Sequence, residues 1–186
     1  MMFSNEDIKL AIDDGSLVVK PLIRKAVRAA GLTLHLGPNL LRPRPGKVVD
    51  VKLKTIPDYD EILIEDDKPY RLEPSEFLLA HTYEEVTVGS NLGFFIEGRS
   101  TLARVGLTIV QTAMLVYPGH RERTITLELA NHGPNPIMLY PKMKIARAAI
   151  FELKTRATER YDDTGKYRNQ PVVGRPIFEN EFMGED

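Results

Sequence analysis

The run TITLELAN at 124–131 alternates without interruption, with Ile125, Leu127 and Leu129 on one face and Thr126, Glu128 and Ala130 on the other. That two-residue period is the mark of a half-buried β-strand. Shorter apolar runs, LVVKPLI at 17–23, LTLHLG at 32–37, KVVDVKL at 47–53 and EEVTVG at 84–89, are broken by prolines and glycines and predict further strands of a sandwich or barrel. The start reads differently. Ser4 supplies a capping oxygen, Glu6 and Asp7 put acids in a first turn, and Ile8, Ala11 and Ile12 share a helical face before Gly15, so a short helix is expected from about Ser4 to Asp14. Turns are expected at Pro43 to Gly46, at Pro57 with Asp58, and at Gly133 to Pro136. From about Thr155 to Asp186 the chain is polar and loses periodicity, as a frayed or a functional tail does.

Composition narrows the class without choosing a function. At 186 residues the chain has the size of one domain, so a single body, 1–186, is expected. Its 42% hydrophobic and 27% charged residues suit a globular protein. Lys and Arg number 25 against 26 Asp and Glu, a formal charge of −1, so no basic surface announces a polynucleotide partner. A few placed cations still suffice to hold a triphosphate. No stretch is long and apolar enough to span a bilayer, and MMFSNEDIKL lacks the regions of a signal peptide, so a cytoplasmic protein without membrane contact is expected. With no cysteine there is no disulfide, no thiolate nucleophile and no Cys-containing zinc site.

Three features carry candidate chemistry. His35, His81, His120 and His132 lack the spacing that aims two ligands at one metal, and read as surface or satisfied core residues. The His-Glu and PCxxC signature of zinc deaminases is absent. In EGRSTLAR at 97–104, Ser100 can cap a short helix with Arg104 one turn on, so Arg99, Ser100 and Arg104 either converge on an anion or form a capped surface turn with solvated arginines. Glu128, opposite the apolar face of its strand, is either an exposed strand acid or a pocket carboxylate that exchanges protons.

Read in order, EGRSTLARVGL at 97–107, TAMLVYPG at 112–119, TITLELAN at 124–131, PIMLYPKMKI at 136–145 and GKYRNQ at 165–170 resemble the deoxycytidine triphosphate deaminases. RSTLAR alone is shared across the wider dUTPase-like superfamily, whereas its combination with LELAN and the GKYRNQ tail points to the deaminase branch. The resemblance implies a mainly β, distorted barrel or jelly-roll-like subunit with a short N-terminal helix. It further implies a homotrimer with active sites between subunits and a C-terminal segment, 155–186, that closes over nucleotide.

On the same footing Glu128 matches the catalytic glutamate that shuttles protons from water to a cytosine, while Ser100 and Arg104 match residues supporting that water and the base. Ala113, with Thr112, matches the backbone that positions base and water. Arg99 and Ser100 match triphosphate contacts, as do Tyr161, Lys166 and Gln170 in the tail. Mg²⁺ would ride on the phosphates with no protein cage and no zinc. The implied ligands are dCTP and dUTP, with dTTP as an inhibitor. Two positions depart from the family pattern, which commonly has Asp where this chain has Tyr117, against the sugar, and Asp where it has Thr33; HRER at 120–123 also lengthens a turn. Besides deamination of dCTP, a dUTP pyrophosphohydrolase, alone or bifunctional, and a non-catalytic nucleotide-binding relative are the alternatives, and the missing carboxylate at 117 counts against the hydrolase.

Overall fold

Ser4 does cap the first helix. Its hydroxyl accepts from the Asp7 N–H at 3.3 Å while the Asp7 carboxylate accepts from the Ser4 N–H at 2.8 Å, a reciprocal box that starts α1, Asn5–Asp13. The helix buries Ile8 and Ala11, and ends where Gly15 adopts φ +77°. The computed structural model describes residues 1–170 and 172–184; positions 171, 185 and 186 of the expected closing segment lie outside the described residues.

Among the described residues fourteen strands follow: β1 Leu17–Lys20, β2 Val27–Arg28, β3 Gly31–His35, β4 Asn39–Pro43, β5 Tyr59–Leu63, β6 Tyr70–Leu72, β7 Phe77–His81, β8 Glu85–Val88, β9 Leu92–Gly98, β10 Leu107–Thr108, β11 Leu115–Val116, β12 Thr126–Asn131, β13 Ile137–Leu139 and β14 Lys144–Glu152. Two further helical turns are α2, Ser100–Ala103, and α3, Tyr161–Thr164. The strands build two five-stranded antiparallel sheets, ordered β10-β12-β7-β4-β5 and β11-β9-β14-β3-β2, and two pairs, β1-β8 and β13-β6. Leu78, Leu127 and Leu129 from the first sheet meet Leu34, Phe94 and Ile150 from the second in one buried apolar cluster. This shared interior is why the alternating runs were strands: each needs one face covered. Among the described residues no helix is long and apolar enough to cross a membrane.

The expected strand KVVDVKL does not form. Residues 47–53 are turns and bends with one isolated bridge, Asp50 to Thr55, and Val48 and Leu53 are 79% and 75% exposed. The Asp50 carboxylate accepts from the Leu53 N–H at 2.8 Å, Gly46 sits at φ +110° and Pro57 follows, so local turn bonds win where no sheet offers an edge. LVVKPLI stops at Lys20 because Pro21 has no N–H for the ladder.

β12 keeps its alternation where it matters. Ile125, Leu127 and Leu129 are buried, whereas Thr126 and Glu128 are half-buried on the opposite face. Ala130 is also buried, and Asn131 at the strand's end donates to Leu72 O and Asn135 O, fixing the turn that contains Gly133 to Pro136. Three histidines, His35, His81 and His120, are buried, each with a hydrogen-bonded ring, and His132 is exposed.

Candidate active site

Two crossings set the site. From β10 the chain leaves the first sheet along 109–114 and enters the second as β11, where Leu115 faces Phe95. Glu128 stays on the first sheet, opposite Leu79 of β7. Between them lies a cavity of about 520 Å³ lined by Glu128, Ala113 and Tyr117, and walled by the tail residues Tyr161, Lys166 and Gln170. Six sequence-predicted residues therefore meet at one place.

Glu128 is held at one oxygen. Oε2 accepts the Gln111 backbone N–H at 2.9 Å, and among the described residues Oε1 accepts no hydrogen bond. The carboxylate thus has one anchored oxygen and one available to a proton donor in the cavity.

The tail is tied down along its length. The Tyr161 N–H donates to Pro118 O at 2.9 Å, and its ring stacks on Tyr117 with centroids 6.2 Å apart and planes within 7°. His120 packs against the same ring at 5.8 Å, and Arg123 pairs with Asp162 at 2.7 Å. Further along, Gln170 Nε2 donates to Thr126 Oγ1 at 3.2 Å, and the Thr124 hydroxyl donates to Val172 O at 2.6 Å. Lys166 pairs with Glu181. Burial pushes the His120 imidazole below its ordinary value and the Tyr161 phenol above its own, so both are neutral at pH 7.

The RSTLAR residues lie elsewhere. Arg99 and Ser100 line a second cavity of about 500 Å³ with Glu97, Thr108 and Arg147. Arg104 borders neither cavity; it is exposed at the end of α2 and has no ion pair among the described residues. Thr112 is exposed beside Ala113 and borders neither. The capping expected of Ser100 is corrected: Arg99 takes the N-cap position in extended conformation, Ser100 is the first helical residue, and no side chain caps the turn. The convergence of Arg99, Ser100 and Arg104 on one point does not occur within this chain.

Sequence reasoning missed Gln111, His120, Arg123 and Thr126. Only HRER signalled two of them, as a longer turn, and nothing in a linear pattern shows that 109–113 folds back on Glu128. Among the described residues no cluster of three His, Asp or Glu is arranged to hold a metal ion.

The fold and the cavity define a mainly β protein with few short helices and a pocket between its sheets. A solved deoxycytidine triphosphate deaminase from Agrobacterium tumefaciens has the same fold, with a TM-score of 0.62 at 17% identity, over 80% of this chain and 48% of that longer one. Residues 2–153 match the dCTP deaminase-like family. A dCTP deaminase of Natronomonas pharaonis is 33% identical over 100% of both chains, and a dUMP-forming dCTP deaminase of Dictyoglomus thermophilum is 36% identical over 94% of both. The chain belongs to the dCTP deaminase family of the dUTPase-like superfamily.

Proposed function

We propose that this protein deaminates dCTP to dUTP and ammonia in the free nucleotide pool of the cytoplasm, with Glu128 as the proton shuttle and each site completed by a second copy of the chain in a homotrimer. The observation that carries the chemistry is Glu128 on the cavity wall with Oε2 anchored and Oε1 available. Oε1 takes a proton from water as its oxygen bonds to cytosine C4, and that proton passes to N3. The remaining proton of the new hydroxyl then moves through Glu128 to the amino group as the C4–N bond breaks. Water oxygen becomes the uracil carbonyl, one of its protons ends on N3 and the other on ammonia.

The surrounding residues take supporting roles in this reading. Backbone at Thr112 and Ala113 holds base and water. Lys166 and Gln170 turn from their present partners, Glu181 and Thr126, to the triphosphate, with Tyr161 packing over it. Arg99, Ser100 and Arg104 are supplied by the neighbouring copy, which is supported by their separation from the Glu128 cavity on one chain. Mg²⁺ travels on the phosphates, where it neutralises charge and draws on no protein carboxylate.

The relatives differ in one respect, since several are named dUMP-forming. We take dUTP as the product here because Tyr117 stands where the family carries a carboxylate at the sugar. Incubation with dCTP or dUTP and Mg²⁺ separates the possibilities. Ammonia without pyrophosphate is expected, pyrophosphate from either nucleotide would make the enzyme bifunctional or a hydrolase, and neither product would make it a non-catalytic relative. Glu128→Gln keeps size and hydrogen bonding and should lower turnover at least about 10²-fold with dCTP still bound.

A further inference from the structure

The side chain of Gln111 continues a sheet that its backbone has left. β10 pairs with β12 only at Leu107 with Asn131 and Thr108 with Ala130. Beyond that point the Glu128 N–H donates to Ile109 O at 3.0 Å, and the ladder would end with the Glu128 carbonyl facing the departing loop. Gln111 Nε2 reaches back to that carbonyl at 3.3 Å and to the Thr108 hydroxyl at 3.2 Å. The Thr108 hydroxyl in turn bonds Ala130 O at 3.4 Å. One residue thereby touches Glu128 twice, through its amide side chain at the main chain and through its own N–H at Oε2.

The two contacts are linked. A glutamate has three rotatable side-chain bonds, so a half-buried carboxylate on a strand face swings unless something fixes it. The Gln111 N–H can fix Oε2 only while the 109–113 loop stays against β12, and the side-chain amide is what fastens that loop at Gln111. Gln111 borders neither the Glu128 cavity nor the Arg99 and Ser100 cavity, so it acts through Glu128 and the loop rather than on the substrate.

We infer that Gln111 is a positioning residue, which clamps the 109–113 loop to β12 and so orients the Glu128 carboxylate with Oε1 toward the substrate. The inference rests on the reading of Glu128 as the proton shuttle. Its consequence is specific: loss of the clamp misorients the base while the tail and anion contacts stay in place, so turnover falls more than binding.

The test compares Gln111→Glu, which keeps length but has no donor for the carbonyl, and Gln111→Leu, with Thr108→Val as a second way to loosen the clamp. Glu128→Gln and the Glu128→Gln, Gln111→Glu double variant are assayed alongside, by ammonia release from dCTP. The expected result is a kcat about 10- to 100-fold lower in both Gln111 variants with KM changed by a much smaller factor, a smaller fall in Thr108→Val, and no further loss when Gln111→Glu is added to Glu128→Gln. An unchanged kcat, or a raised KM with kcat intact, overturns the inference while an inactive Glu128→Gln leaves the shuttle standing. A fully active Glu128→Gln removes both. Additive losses in the double variant show that Gln111 acts other than through Glu128.

Discussion

A mixture of two inactive chains should regain activity. The Glu128 wall and the RSTLAR segment occupy different cavities of one subunit, and Arg104 is exposed with no ion pair among the described residues. Arg104→Ala therefore costs its own subunit little, since surface substitutions of this kind stay within about 0.5 kcal/mol. If it abolishes turnover, the guanidinium serves something beyond its own chain's contacts. Glu128→Gln disables the other half. In a ring with head-to-tail interfaces each site takes Glu128 from one subunit and Arg104 from the next. Random 1:1 mixing makes about one quarter of all sites native, and in every trimer that carries both variants about one site in three. Each variant alone retains about 1% or less on the base side, so recovery in oligomers carrying both amounts to about 30-fold.

The assay co-expresses the two variants with different tags, isolates oligomers carrying both by sequential capture, and measures ammonia released from dCTP. Doubly tagged oligomers that stay at the level of the single variants would refute the shared site. The catalytic groups would then have to meet within one chain, by a rearrangement that brings α2 to the Glu128 cavity.

Truncation after Thr155 should leave a folded oligomer that binds dCTP poorly, as judged by melting and by titration calorimetry, because among the described residues the main core cluster contains none beyond Ile150 and the tail adds only Val173, against Leu41 and Leu79. Burial lowers His81 and His120 from 6.5, so the unfolded chain takes up protons first; stability should be full above about pH 6.5 and fall as pH drops through the lowered folded-state values, read as a declining melting temperature toward pH 5. Activity should survive a zinc-selective chelator, vanish when Mg²⁺ is stripped and return when it is restored, and tightly held stoichiometric zinc would overturn this account.

What could be read from the sequence depended on how local its cause was. The α1 cap and the alternation of β12 were legible because Ser4 with Asp7, and Leu127 with Leu129, state their geometry within a few residues. KVVDVKL failed for the opposite reason. Its valines satisfy strand propensity, yet whether a sheet edge waits for them is decided by distant chain, and Asp50 closed a turn instead. Ser100 failed by one residue, since four residues of helix leave either Arg99 or Ser100 able to stand at the cap and only the backbone decides. Gln111 was invisible because its role needs the 109–113 loop to fold back onto β12.

Tyr117 shows how a departure legible in sequence acquires a physical meaning only in the fold. Read linearly, the family resemblance makes it a carboxylate missing from the sugar side of the site. In space its ring lies parallel to Tyr161, the residue that opens α3, while Pro118 O and His120 hold that same residue and Arg123 holds its neighbour Asp162. Where a charge would have to be kept solvated or paired, Tyr117 offers a ring that the tail covers. Ordering a mobile segment normally consumes part of the binding energy of the nucleotide. Here the Tyr117 ring, the Pro118 carbonyl and the Arg123–Asp162 pair hold the front of that segment, and Lys166 and Gln170 line the cavity. The ring at position 117 and the held tail are therefore one feature, since Tyr117 is the surface on which Tyr161 is stacked.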